Sequence, residues 1–204
     1  EQDMMGVAAG LAASGKIPFA SSFAVFATGR AFEQIRNSIC YPKLNVKIAA
    51  THAGITVGED GATHQALEDV AIMRTLPNMS VVVPADAAET KSVIKWAANY
   101  KGPVYIRMGR AKVAEIFDES YTYEYGKGVT LKEGKDVTII AMGIMVEKAL
   151  QASELLAADG IEATVINMST VKPIDAELIV ASAKKTGAVV TCEEHTINGA
   201  LGGA

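Results

Sequence analysis

Apolar positions in this chain of 204 residues follow two alternating patterns. Short runs that are apolar throughout have the composition of buried strands. They alternate with stretches in which apolar residues recur every three or four positions, as on one face of a helix. Strands without polar alternation are typical of a parallel sheet covered on both faces. The predicted strands cover residues 19–22, 46–50, 80–83, 104–107, 137–141, 163–167 and 188–193.

Helical patterns lie between these runs, over residues 3–14, 28–38, 64–74, 86–99, 144–158 and 175–185. The clearest helix start is at Asp86, which has the spacing of a capping box with Glu89. The segment 111–134 interrupts the alternation because it is charged and rich in Tyr and Gly, and it predicts a linker with a short β-ribbon. We therefore expect an α/β protein of two domains, residues 1–118 and 119–204, with mostly parallel sheets covered by helices.

The composition of the chain argues against several classes of binding partner. The net charge is −4 and no basic stripe is present, which argues against a nucleic-acid ligand. The longest apolar runs, such as 137–142, are too short to cross a membrane, and no signal peptide is visible. We expect a cytoplasmic protein in which Cys40 and Cys192 are free thiols among apolar neighbours. No group of His and Cys has the spacing of a metal site.

The stretch from Gly58 to Gln65 is the richest in chemistry. It holds two acids, two glycines, a Thr and His64, and it follows His52 by six residues. Glycine on either side of the acids lets the backbone turn sharply and approach a ligand closely. A turn followed by a capped helix would account for a Gly-Asp-Gly string alone, but the full string together with His52 favours a functional loop.

These residues should meet at one edge of the first sheet. Ligands of parallel sheets bind beyond the carboxyl ends of the strands. His52, Phe26 and Arg110 each follow the carboxyl end of a predicted strand. The second domain offers only Glu193–His195, which we interpret as structural or interfacial.

The same residues resemble the pyrimidine-binding and C-terminal domains of transketolase, a thiamine-diphosphate enzyme family. The opening Glu1-Gln-Asp-Met-Met-Gly resembles the family segment that begins with the coenzyme-activating glutamate. Phe23-Ala-Val-Phe26 resembles the aromatic pair near the coenzyme. Thr51-His52, then Gly58–Gln65 and then Arg110 match the sugar-phosphate signature in order and approximate spacing. The resemblance covers the whole chain.

The resemblance implies a role for each of these residues at the coenzyme. Glu1 would bond to the coenzyme's pyrimidine ring and favour its imino tautomer, so that the coenzyme acts as its own base. Phe26 would stack on the pyrimidine ring, and Phe23 would pack beside it.

On the substrate side, the resemblance implies that His52 and His64 bind the donor sugar's hydroxyl and carbonyl oxygens and help to move protons. Asp60 would accept a hydrogen bond from the hydroxyl next to the bond that breaks. Arg110 would bind the substrate phosphate, for which a planar guanidinium is well suited. We interpret Arg107 as a strand-end cation with a structural partner.

Family members bind the diphosphate, and Mg²⁺ or another divalent cation, through a Gly-Asp-Gly…Asn segment in a separate N-terminal domain. This sequence has no such segment. The first strand of the pyrimidine-binding domain and the end of the C-terminal domain also look truncated. We therefore expect a C-terminal subunit or fragment that needs an N-terminal transketolase subunit or domain, in a homodimer or heterotetramer acting on sugar phosphates of the pentose phosphate pathway.

Three other interpretations remain open at this stage. 1-Deoxy-D-xylulose-5-phosphate synthase shares the fold, the coenzyme and a similar loop, but that family usually lacks the histidine at the position of His52. The β subunit of a 2-oxoacid dehydrogenase decarboxylase has the same domain order without the Gly-Glu-Asp-Gly string. A non-catalytic interaction subunit would not need Glu1, Asp60 and His64.

Overall fold

The first sheet of the computed structural model, which describes residues 1–204, has five strands. Four of them are parallel and the fifth is antiparallel. Their order is β1 (Phe19–Ala20), β2 (Lys47–Ala50), β4 (Val104–Arg107), β3 (Ser80–Val82) and β8 (Thr170–Lys172). All residues of β2, β3 and β4 are buried, which is why these strands are mostly apolar and lack polar alternation; their polar residues, Lys47, Ser80 and Arg107, stand at strand ends.

The second sheet has four strands and is also mostly parallel. Their order is β5 (Val129–Lys132), β7 (Ala163–Asn167), β6 (Val137–Ala141) and β9 (Val189–Cys192). Strand β6 pairs in parallel with β7 and β9, and β5 is antiparallel to β7 at the edge. The predicted fold class, two mostly parallel α/β sheets covered by helices, is confirmed.

Six α-helices connect the strands. They are α1 (Gln2–Ala13), α2 (Phe32–Gln34), α3 (Asp69–Thr75), α4 (Ala87–Asn99), α5 (Met145–Ala158) and α6 (Ala176–Thr186). The predicted start of α4 is confirmed, since the Asp86 carboxylate accepts a hydrogen bond from the Glu89 N–H at 2.8 Å. The Glu89 carboxylate in turn accepts from the Ala85 N–H at 2.7 Å. None of the six combines the length and the apolarity that a membrane span requires.

The helix predicted over 28–38 is not a regular α-helix. Helix α2 is flanked by π-helical turns at Phe26–Arg30 and Ile35–Cys40. Ala27, Ala31, Ile35 and Ile39 are fully buried and recur at every fourth position. A row with that spacing drifts around an α-helix, which has 3.6 residues per turn, whereas the wider π turns drift in the opposite sense. The alternation of α-helical and π-helical turns therefore keeps these four side chains against the core.

The helix predicted over 64–74 begins at Asp69, so its predicted start was wrong. His64 therefore lies in the turn that precedes α3, not in the first turn of a helix. Ala66 pairs with Gly54 in an isolated β-bridge and is buried there. Its apolar side chain therefore fits the helical spacing of the sequence although the residue is not in a helix.

The two sheets share the largest of three hydrophobic clusters. This cluster has 29 buried residues and joins residues of the first sheet to Ile140, Ile166 and Leu201 of the second half of the chain. Strand β8 adds a backbone link, because it pairs with β3 of the first sheet. The predicted free thiols are confirmed, with Cys40 buried and Cys192 partly buried. The boundary at residue 118 stays a prediction.

Lys47 ties the end of α4 to the start of β2. Its side chain is fully buried, and its Nζ donates to the carbonyls of Tyr100 at 2.8 Å and Gly102 at 2.7 Å and to Asn45 Oδ1 at 2.7 Å. Burial lowers the pKa of this ammonium to about 8. Lys47 therefore satisfies backbone carbonyls near the end of α4. The free-energy cost of keeping its buried ammonium charged depends on pH.

We predict that Lys47 makes the stability of the fold rise with pH in the alkaline range. The folded pKa is below that of an unfolded lysine, so the unfolded chain binds more protons between about pH 8 and about pH 10. In this window the free energy of unfolding of the wild type should rise relative to that of Lys47→Met, by on the order of 1–3 kcal/mol. Urea unfolding at several pH values measures it. The exposed Lys95→Gln serves as control, and parallel wild-type and Lys47→Met curves would contradict the prediction.

Candidate active site

Two phenylalanines and two histidines form a cluster of rings at the carboxyl ends of β1 and β2. The rings of Phe23 and His52 stack with centroids 3.9 Å apart and planes 9° apart. The His64 ring meets Phe26 edge-on at 5.1 Å and Phe23 at 5.8 Å. The structure thus brings together four of the residues that the sequence predicted for the site.

His52 has an unusual backbone conformation. Its φ is 59°, in the left-handed region that costs a residue other than glycine about 1 kcal/mol. The ring is further fixed by a contact of 2.9 Å between its Nδ1 and Thr51 Oγ1. A backbone bridge pairs Thr51 with Phe23, so the two strand ends hold the stacked rings in register. Strain of this kind in a packed structure is typical of functional sites.

The acidic loop turns as predicted. Residues Ile55–Asp60 form a 3₁₀ segment that is interrupted at Gly58, where φ is 81°, and Gly61 follows with a φ of 75°. Backbone with positive φ on both sides of Glu59 and Asp60 needs residues without a Cβ, because L side chains clash there. The loop therefore turns at these two glycines and returns the chain to His64, whose backbone N–H donates to the Gly61 carbonyl at 3.0 Å.

Arg110 already has partners within this loop. Its Nη2 donates to Glu59 Oε1 at 2.6 Å, its Nη1 donates to the Val57 carbonyl at 2.7 Å, and Nη1 lies 3.8 Å from Asp60 Oδ2. The hydrogen bond from Arg110 lowers the pKa of the Glu59 carboxyl to about 2, so this carboxylate is ionised at neutral pH. A guanidinium has five N–H donors, so Arg110 keeps capacity for a further anion. The sequence analysis had not foreseen Glu59 as its partner.

Arg107 has the structural role proposed from the sequence. Its Nε donates to Asp69 Oδ2 at 2.8 Å, and the two side chains are 5% and 0% exposed. The Tyr105 hydroxyl donates to the same carboxylate oxygen at 2.6 Å. Arg107 therefore links β4 to the start of α3.

Glu1 lies beside the aromatic pair. Its carboxylate accepts hydrogen bonds from Ser22 Oγ and from Arg30 Nη1, both at 3.0 Å. The bond from Ser22 lowers the pKa of Glu1. The Arg30 guanidinium also lies 4.8 Å from the centroid of the Phe26 ring, so it connects the glutamate to the ring cluster.

Sequence reasoning missed Ser22 and Arg30. A signal for each was available, because Ser22 ends the predicted strand 19–22 and Arg30 follows Phe26 by four residues, about one helical turn.

Comparison with known proteins identifies this arrangement. The family profile described as transketolase, pyrimidine binding domain, matches residues 1–115. That of the transketolase C-terminal domain matches residues 126–204. A pyrimidine-binding domain followed by a transketolase C-terminal domain is the domain order of a thiamine-diphosphate enzyme family. The chain belongs to the transketolase family, as its residues had suggested.

The relatives support the same family. The chain is 58% identical over its whole length to a putative transketolase C-terminal section of Methanocaldococcus jannaschii. It is 48% identical over its whole length to a 6-deoxy-6-sulfo-D-fructose transketolase subunit of Clostridium sp.. A solved structure described as a split gene transketolase, inactive β4 tetramer, matches 99% of the chain at 64% identity with a TM-score of 0.94. The chain spans 64%, 63% and 65% of these proteins.

We predict that the two arginines at the end of β4 respond differently to replacement. Arg107→Met leaves the Asp69 carboxylate buried without its cation, which should lower the free energy of unfolding by about 3–5 kcal/mol. Arg110→Met removes a partly exposed ion pair and should leave stability nearly unchanged. Urea unfolding of the two variants beside the wild type measures the contrast, and equal losses would show that Arg107 is not the structural member of the pair.

Proposed function

We propose that this chain supplies the pyrimidine-binding side of a transketolase active site, at which a two-carbon ketol unit passes from a ketose phosphate to an aldose phosphate. The observation that carries the proposal is the grouping of Glu1, the Phe23–Phe26 pair, His52 and His64 at one sheet edge. A non-catalytic subunit would have no need to hold His52 in a strained conformation against Phe23.

The residues at this edge suit thiamine diphosphate. Glu1 offers a carboxylate whose lowered pKa keeps it ionised, and Ser22 and Arg30 orient that carboxylate. Phe23 and Phe26 offer flat apolar faces to an aromatic ring. When bound, thiamine diphosphate supplies the carbon nucleophile and the electron sink for cleavage of a bond next to a carbonyl. The part of this chain would be to hold the pyrimidine ring and keep a carboxylate at its nitrogen.

The residues that surround the rings suit a phosphorylated sugar. His52 and His64 present ring nitrogens, which can accept or donate hydrogen bonds, within one cluster. Asp60 would accept a hydrogen bond from a sugar hydroxyl and so select its stereochemistry. Arg110 would bind the phosphate with the donors that Glu59 and the Val57 carbonyl leave unused.

The remaining parts of the enzyme would come from a partner. We propose an N-terminal transketolase subunit or domain that holds the diphosphate and a divalent cation such as Mg²⁺, in a cytoplasmic homodimer or heterotetramer of the pentose phosphate pathway. The names of the relatives support a divided enzyme, since one is a C-terminal section, one a subunit and one a split-gene transketolase.

We predict that this polypeptide alone is inactive and binds thiamine diphosphate weakly, because the diphosphate site lies elsewhere. Addition of the N-terminal partner should produce ketol transfer from xylulose 5-phosphate to ribose 5-phosphate, measured by the formation of sedoheptulose 7-phosphate. Glu1→Ala should abolish this transfer, and His52→Ala should reduce it by roughly 30- to 1,000-fold. Tight binding of the coenzyme to the isolated chain, measured by calorimetry, would contradict the proposal.

The same experiment separates transketolase from the synthase. An assembled enzyme that makes a five-carbon deoxyketose phosphate from pyruvate, and that is indifferent to His52→Ala, would overturn the ketol-transfer proposal in favour of 1-deoxy-D-xylulose-5-phosphate synthase.

We predict that Arg110 distinguishes phosphorylated from unphosphorylated substrates. Arg110→Ala in the assembled enzyme should lower kcat/KM for sugar phosphates by roughly 30- to 150-fold, chiefly through KM, with a much smaller effect on the unphosphorylated sugars. Arg110→Lys should rescue only part of the loss because it lacks the planar fork. Glu59→Gln is the matched control, since it removes the partner of Arg110 and keeps the cation. Equal losses for both classes of sugar would mean that Arg110 only shapes the loop.

A further inference from the structure

A short segment of the second half of the chain contacts both ends of the substrate loop. We use the name substrate loop for residues 54–66, which include Gly58–Gln65. The segment Glu194–Thr196 follows β9. The buried Glu194 carboxylate contacts the start of the loop, the Glu194 carbonyl reaches the end of the loop through Arg107, and the Thr196 N–H bonds to Leu67 just beyond it. It is the stretch that the sequence analysis set aside as structural or interfacial.

Glu194 holds the first end of the substrate loop. Its carboxylate accepts a hydrogen bond from the Thr56 N–H at 2.5 Å and packs directly on Gly54. Gly54 has a φ of 86°, and a methyl group at this position would overlap the carboxyl group of Glu194. The loop therefore starts at a glycine, which leaves room for the Glu194 carboxylate that follows β9.

The Arg107 side chain and two backbone carbonyls hold the second end of the loop. Arg107 Nη2 donates to the Glu194 carbonyl at 2.9 Å and to the Ala66 carbonyl at 3.2 Å. Ala66 also accepts from the Gly54 N–H at 2.9 Å, which closes the loop at its base. Beyond the loop, the Thr196 N–H donates to the Leu67 carbonyl at 2.9 Å. Glu194 and Thr196, which follow β9, thus contact the start of the loop directly, its base through Arg107, and its exit at Leu67.

We propose that Glu194 is a positioning residue that fixes the substrate loop, and with it Asp60 and His64, in the geometry that the substrate requires; this inference rests on the proposed function. A loop of this length would otherwise lose conformational entropy each time it bound a sugar. With its base fixed by Glu194, that entropy is lost on folding and not on binding. The second domain would then contribute to turnover without touching the substrate.

The chain offers a matched control for Glu194. Glu193 is its neighbour, and the Glu193 carboxylate also accepts backbone hydrogen bonds, from Leu201 at 2.8 Å and Gly202 at 2.9 Å. These bonds hold the C-terminal turn and do not involve the substrate loop. Glu193→Ala therefore removes a carboxylate of the same type from the same segment, without releasing the loop.

The test uses the assembled enzyme with two measurements, amide hydrogen exchange of residues 55–65 and kcat/KM for ketol transfer. In Glu194→Ala, exchange in the loop should become at least about tenfold faster, and kcat/KM should fall roughly 10- to 100-fold. Glu194→Gln keeps an oxygen for the Thr56 N–H and should stay within about threefold of the wild type in both measurements. Glu193→Ala should leave loop exchange unchanged. Loop exchange in Glu194→Ala that matches the wild type, or a loss shared by Glu193→Ala, overturns the proposal.

A second variant keeps the test decisive if Glu194→Ala does not fold. Gly54→Ala presses on the Glu194 carboxylate from the loop side and should also speed exchange in the loop. Loop exchange in Gly54→Ala at the wild-type rate overturns the contact. Where Glu194→Ala folds, the activity loss of the double variant Gly54→Ala/Glu194→Ala should be smaller than the product of the single losses, because the two residues act through one contact. Independent, multiplicative losses overturn the contact. An assembled wild type that lacks ketol transfer would refute the proposed function, whereas the hydrogen-exchange contrast still decides whether Glu194 holds the loop.

Discussion

Arg107 and Asp69 form an ion pair from which water is almost completely excluded, and the geometry of the substrate edge depends on it. Each charge needs the other, because an unpaired charge in this environment would be strongly destabilising. The pair fixes the end of β4 against the start of α3. Through its remaining donors, Arg107 also holds the carbonyls of Ala66 and Glu194. The loop that carries the acidic residues is therefore closed at its base by a group that is itself locked in the core.

Arg107 and Arg110 lie three residues apart and differ in how easily each can change its partners. Arg107 is buried and bonded to three groups, whereas Arg110 is partly exposed and paired with the exposed carboxylate of Glu59. A buried pair is expensive to rearrange, and an exposed pair exchanges partners at little cost. The first suits a support for the loop. The second suits the phosphate-binding role proposed for Arg110, in which the guanidinium would release Glu59 in part.

The two halves of the chain form a continuous structure around the site. They share the largest hydrophobic cluster, β8 extends the first sheet, and Glu194 reaches Gly54 at the base of the substrate loop. The coenzyme-side residues, by contrast, all belong to the first half, where strand ends carry Phe23 and His52. In this arrangement the first half supplies the groups that would meet coenzyme and sugar, and the second half limits how far those groups can move.

The sequence by itself determined seven of the nine strands, most of the helices, the turn around Glu59 and Asp60, and the collection of Phe23 and His52 at one edge. Apolar runs, a capping box and glycines act over a few residues, and parallel strands end on the same side of a sheet. The local pattern predicted a wrong helix start at His64, because buried apolar residues of the loop before α3 happen to have helical spacing. Only the tertiary structure decided the contacts of Arg30 with Glu1 and of Glu194 with Thr56, which lie 29 and 138 residues apart. Such pairs depend on how distant elements pack, and no local period in a sequence records that packing.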